Sequence, residues 1–228
     1  MRVTVRQFIV PAVAALCLLA ACGGAGARGG APGAPPGAGN STTLAQIFGP
    51  EQYFQKLGRL AAPEPMPFVG TVGALRGAGD STFAVLALSL SNRVFSFQRE
   101  TGGFAARYHV DVRFDREGVP PIVFGDDQTV RVQTFKETLR SDESVLYQKA
   151  FPLVPGAYKV TITLKDPTSG NVATTGAGLT IPRFGPGTVT APLLAYQATA
   201  RGAVADKPLL VLNPRGTAAY GGDTLLAY

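Results

Sequence analysis

Hydrophobic and polar positions alternate most regularly over residues 151–166, FPLVPGAYKVTITLKD. Tyr158, Val160, Ile162 and Leu164 fall on one parity, and Lys159, Thr161, Thr163 and Lys165 on the other. A period of two over that length predicts a strand with one buried face and one wet face. The same reading extends to either side. Residues 68–75 predict a strand that ends in a turn at 76–80. Residues 82–90 (TFAVLALSL) are apolar at both parities and predict a central strand covered on both faces. A short strand follows at 94–97. Over 104–114, Tyr108, Val110, Val112 and Phe114 point inward, and Arg107, His109, Asp111 and Arg113 outward. Residues 122–124 predict a short strand and Gly125-Asp126-Asp127 a turn; strands at 129–135, 144–151, 157–165 and 176–181 complete the series. Eight or nine short strands separated by turn residues every 8–14 positions are the pattern of an all-β sandwich.

Tyr158 refines this class. Pro155-Gly156 pairs a fixed φ with a permissive one, which suits a tight turn. A Tyr that enters a long amphipathic strand straight after such a turn resembles the tyrosine corner of immunoglobulin-like sandwiches, between their strands E and F. The expected fold is therefore all-β: an immunoglobulin-like β-sandwich over 63–186, with a short N-terminal helical segment and an incomplete second β module. About 120 residues suffice to bury a core without staples. Packing between the sheets is expected from Val85, Leu86 and Leu88 against Val160, Ile162 and Leu164.

The helical segment is placed at 41–62. Leu44, Ile47 and Phe48, then Tyr53, Phe54, Leu57 and Leu60, recur at spacings of three and four. Pro50 suits a first helical turn, and Glu51 is favourable near a helix N-terminus. A short helix packed on the first sheet is the expectation. The PEPMP run at 63–67 reads as a stiff break and a domain boundary. At the other end, 189–198, 209–212 and 224–228 carry strand signals, too few to close another sandwich. That segment either packs on the first domain or opens a second one. The expectation is that 187–228 begins a second, truncated β domain.

The first forty residues carry an address. Arg2 and Arg6 precede an apolar run of 14 at 8–21, too short to span a bilayer comfortably and long enough for the core of a signal peptide. It ends in Leu19-Ala20-Ala21-Cys22, which resembles the bacterial lipobox: small residues before a Cys that becomes diacylated on sulfur, with cleavage before it. Residues 1–21 are thus expected to be a lipoprotein signal peptide and Cys22 the lipidation site. Two or three acyl chains anchor stably, at ~0.8 kcal/mol per buried methylene. Gly23, in place of Asp, favours the outer membrane in a diderm cell. After Cys22, the stretch to Asn40 is otherwise Gly, Ala and Pro with a single charge, and 22–40 read as a flexible tether.

Composition narrows the chemistry. Cys17 leaves with the signal and Cys22 is acylated, so the mature chain retains no thiol for a disulfide or a metal. With Arg2 and Arg6 removed, 19 Lys and Arg face 15 Asp and Glu, a net of +4 scattered along wet faces, and nucleic acid is not expected as a partner. The single histidine, His109, reads as a solvated side chain. No cofactor, metal site or catalytic set is expected, because none of the nucleophile, zinc or phosphate-loop motifs occurs. The loop Arg140–Ser144 (RSDES), with Arg140, Asp142 and Glu143, is the candidate interaction loop, together with Lys136-Glu137.

Four segments together carry a resemblance: PFVGTVGAL, DSTFAVLALSLSNRVFSFQRE, the run from 130 to 166 that contains FKETLRSDESV, and LLVLNPRGTAAYGGDTLLAY. They resemble the N-terminal region of bacterial GWxTD domain-containing proteins and lipoproteins of Gemmatimonadota type. The motif itself is absent, since the chain has no Trp. The resemblance implies an envelope location and sandwich modules, and no reaction. The function expected is that of a lipid-anchored envelope module, structural or protein-binding and not an enzyme, held at the membrane by its acyl chains and meeting another envelope protein. The alternative is an accessory N-terminal domain of a larger envelope hydrolase.

Overall fold

The computed structural model describes residues 50–216, except 205 and 208, together with 226–227. Cys22 and the segments 1–21, 22–40 and 41–49 lie outside the described residues.

Helix α1 (Pro50–Lys56) opens the described chain, with Pro50 first and Glu51 in the first turn. It is followed by β1 (Leu60–Ala62), β2 (Phe68–Arg76) and β3 (Thr82–Leu90). The next strands are β4 (Gln98–Glu100), β5 (Gly103–Arg116) and β6 (Val119–Val132), and then the short helix α2 (Phe135–Thr138). Strands β7 (Val145–Leu153), β8 (Gly156–Lys165) and β9 (Val172–Ile181) complete two antiparallel sheets. One sheet has the order β1-β2-β3-β7. The other runs β6-β5-β8-β9, and β4 extends it along the β8 edge of β5.

The connections β3 to β5, β6 to β7 and β7 to β8 each pass from one sheet to the other. Matching β2, β3 and β7 to strands A, B and E, and β5, β8 and β9 to C, F and G, yields an immunoglobulin-like sandwich with β6 as an extra strand beside C. Tyr158, at the start of β8, donates its hydroxyl to the Val154 carbonyl at 2.8 Å. This is the bond of a tyrosine corner.

The inter-sheet core is apolar and closely filled. Ala84, Leu86, Leu88 and Leu90 of β3 meet Val110, Val112 and Phe114 of β5 and Val160, Ile162 and Leu164 of β8, all at most 1% exposed. Phe151 lies between Phe114 and Phe124, with ring centroids 5.2 Å and 4.6 Å away. Val85 does not join this core. Its parity puts it on the outer face of β3 with Phe83 and Ala87.

That outer face is covered as well. Strands β10 (Leu194–Thr199) and β11 (Leu209–Leu212) pair antiparallel, and β12 (Leu226–Ala227) adds to β10. Ala195, Leu210 and Leu212 bury Leu75, Phe83, Val85 and Ala87 in a second apolar cluster. So every residue of β3 is buried. Gly73 permits the approach: a Cβ there would stand 2.9 Å from a Leu193 methyl carbon. Gln148 of β7 joins the layers, donating from Nε2 to the Leu210 carbonyl at 2.6 Å and accepting from the Leu212 N–H at 2.8 Å.

Further expectations change. The described part of 187–228 does not form a separate β domain: it packs on the outer face of β3 and shares its apolar cluster. The helix of 41–62 does not reach 62: Gly58, at φ 73°, ends it, and Leu60–Ala62 pair with Phe68–Gly70. The PEPMP run is therefore the β1–β2 turn inside one sheet, with Met66 fully buried, and no boundary. Residues 94–97 are not a strand: Asn92–Val94 form a 3-10 turn, and pairing resumes only at Gln98. Gly125-Asp126-Asp127 is no turn either. It lies mid-strand in β6, where β5 supplies continuous pairing from Phe104 to Phe114. Successive residues face opposite sides, so Asp126 reaches Lys149 across the sandwich edge (2.8 Å) while Asp127 reaches His109 (2.6 Å).

Candidate functional site

The interaction loop divides by direction. Arg140 donates from Nε and Nη2 to Asp142 at 3.0 and 2.6 Å, a bidentate pair in which both partners are exposed. That guanidinium holds the Asp142 carboxyl down at about 2. The loop itself is pinned by backbone bonds, Arg93 N–H to the Arg140 carbonyl and Ser144 N–H to the Leu90 carbonyl, both 3.0 Å. Glu143 turns the other way. Its side chain is 17% exposed, accepts from the Tyr196 hydroxyl at 2.9 Å and stands 3.5 Å from Arg215 Nε. The Arg215 contact is an ion pair without a hydrogen bond, because that N–H donates to Ser89 Oγ at 2.9 Å. Glu143 is therefore a tie to the C-terminal segment and not a displayed charge.

Beside this loop opens a groove of about 270 Å³. Phe54, Pro63, Pro67 and Phe68 give it apolar walls, Arg93 and Arg215 bring two cations and Glu51 and Glu64 two carboxylates, and Ser141 places the loop on its margin. The β1–β2 turn and α1 build the wall opposite. Nothing in the sequence pattern marks this groove, because its sides come from residues as far apart as Pro50 and Arg215.

Lys136 and Glu137 also part. Glu137 closes a capping box on α2: its carboxylate accepts from the Thr134 N–H at 2.8 Å and the Gln133 N–H at 3.0 Å, and Thr134 Oγ1 accepts from the Glu137 N–H. The Thr134-x-x-Glu137 spacing was the available signal for this helix start. Lys136 stays exposed.

His109 is not simply solvated. Nδ1 lies 2.6 Å from Asp127 Oδ1 and Nε2 3.0 Å from Asp111 Oδ1, and Lys165 holds the other Asp111 oxygen at 2.6 Å. The Asp127 hydrogen bond, then that to Asp111, raises the imidazole pKa above its ordinary value, against a smaller opposing effect of desolvation. The Lys165 bond in turn lowers Asp111. Gly125 leaves the ring its space: a Cβ there would stand 3.1 Å from Nε2. A ring held at both nitrogens is an ionic clasp across three strands. As it stands, it offers neither nitrogen to a substrate as a base. Among the described residues, no group of three or more His, Cys, Asp or Glu is placed to hold a metal ion.

No family model matches this chain, and no curated protein or solved structure matches it either.

Proposed function

We propose that this chain is a lipid-anchored cell-envelope module that acts by contact with another envelope protein and carries no catalytic centre. The observation that carries the reading is the groove beside the Arg140–Ser144 loop: apolar walls, the exposed guanidinium of Arg93, and Arg215, Glu51 and Glu64 in the same lining. Such a cleft suits an extended segment with apolar side chains and a carboxylate opposite Arg93. The lipobox-like Leu19-Ala20-Ala21-Cys22 and the Gly/Pro-rich stretch after it support membrane attachment through acyl chains on Cys22. In a diderm cell the outer membrane is the location that Gly23 favours. The GWxTD-type resemblance rests on the segments quoted above and agrees with an envelope role.

One paired experiment tests both halves. Cys22→Ser should leave the chain unprocessed and abolish its acylation, read by intact mass. A photo-crosslinking residue at Ser141 should yield one specific adduct in the envelope of the native host, lost in an Arg93→Glu variant that retains its thermal stability. An acyl-free mature wild-type chain overturns the anchor. Adducts that are diffuse, or unchanged by Arg93→Glu, overturn the groove.

A further inference from the structure

The end of the sandwich that carries α2 exposes an apolar patch that the fold does not need. Phe135 is 63% exposed and Leu139, one helical turn on, 62%. The Phe135 ring stands 6.0 Å from that of Phe104. A hollow of about 200 Å³ opens between them, with Phe97 in its lining and Arg93 at its side. The capping box that starts α2 uses only Thr134 and Glu137 and would work with any side chain at 135. Two large apolar groups left side by side in water are a feature of docking surfaces.

The charges around this patch say what it docks on. Arg93, Arg99 and Lys136 are exposed, and none has a carboxylate within ion-pair distance among the described residues. Arg99 lies opposite Phe104 in the β4–β5 ladder, on the same face of the sheet. The neighbouring acids are already engaged: Glu100 by Arg107 and Arg131, Glu137 in the helix cap, Asp142 by Arg140. An apolar centre inside a cationic rim matches an anionic lipid surface, with Phe and Leu entering the acyl boundary and Lys and Arg meeting phosphate. Placement agrees. Arg93 lines both this hollow and the groove walled by Pro50 and Glu51, so the chain enters the sandwich beside the patch. Cys22 lies 28 positions upstream of Pro50.

We propose that the Phe97–Phe104–Phe135–Leu139 surface, with Arg93, Arg99 and Lys136, docks the sandwich onto the anionic membrane to which Cys22 tethers it. This rests on the lipid-anchor reading. The contact need only be weak, because attachment through Cys22 makes the second contact with the same membrane intramolecular.

The test uses the mature acylated chain in vesicles of phosphatidylcholine alone or mixed with phosphatidylglycerol. The mature chain has no thiol besides Cys22, so Gln133→Cys accepts a single polarity-sensitive fluorophore, and Thr174→Cys serves as a distant reference. Blue-shifted emission at 133, quenched by brominated lipid, is expected only on the anionic vesicles, and it should fade at high salt. Phe135→Ser/Leu139→Ser should abolish it, as should Arg93→Glu/Lys136→Glu; every substituted position is exposed, and circular dichroism checks the fold. Co-flotation is read in parallel. A chain that floats while its label stays aqueous overturns the docking and leaves the anchor standing. A chain that does not float overturns both. A shift that appears only when an envelope protein is added, or that persists in both double variants, overturns the lipid as the occupant.

Discussion

His109 shows how a lone polar side chain acquires a role from its neighbours. Its parity on β5 was legible, and it does lie on the outer face of the sheet. Asp127 was not foreseeable as its partner, because Asp126-Asp127 after a Gly has the composition of a turn. Only the β5–β6 register, which sets His109 directly opposite Asp127, makes the clasp. The consequence for pH has a definite sign. The folded-state pKa is raised above the ordinary 6.5 by Asp127 and then Asp111. The clasp therefore contributes its full stabilisation below pH 6.5 and loses it as pH rises through the folded pKa. An NMR titration should place the His109 midpoint above 6.5, and Asp127→Asn should move it down. A midpoint at or below 6.5 in the wild-type chain would show that the clasp does not form. The effect on unfolding should be small, since Asp127 is 92% exposed and its pair is well screened.

Elements were read best where one face is wet. Strands β5 and β8 show their alternation plainly, and their inward sets form the core as expected. Strand β3 was harder, because an all-apolar strand announces two covers without saying what the second one is. The second is the β10–β11 hairpin. Gln148 fastens it by acting as a piece of strand, its amide both donating to and accepting from the β11 backbone. Gln148→Ala removes both bonds, and loss of two such bonds should cost roughly 1–3 kcal/mol, measurable by urea unfolding. A change within error would mean that water replaces the amide without penalty. The short elements were misread for a different reason. Turn-rich runs such as PEPMP mark a change of direction, and whether the chain then leaves the domain or pairs back on itself depends on partners distant in sequence.

At the scale of the whole molecule the two apolar clusters share one strand, β3, whose alternate residues enter the inter-sheet core and the hairpin interface. The described chain should consequently unfold as one cooperative unit. Leu212 is 1% exposed in the hairpin cluster, and Leu212→Ala should cost about 2–5 kcal/mol. Tyr158→Phe, at the far side of the sandwich, should cost about 1 kcal/mol through the lost bond to the Val154 carbonyl. Calorimetry should show both substitutions lowering one and the same transition. Two resolved transitions, with Leu212→Ala moving only one of them, would make the hairpin an independent unit.

Local pattern alone determined the β class, the faces of β5 and β8 and the tyrosine corner, because alternation and turn chemistry are properties of neighbouring residues. Tertiary structure decided the rest: the second cover of β3, the continuity of β6, the clasp on His109, the inward turn of Glu143, and the exposure of Phe135 and Leu139. Each of these depends on which strand lies beside which, a relation set by burial and pairing across tens of residues. In Thr134–Leu139 the capping spacing was present in the sequence, yet only the placement of α2 at the end of the sandwich leaves its two large apolar side chains in water.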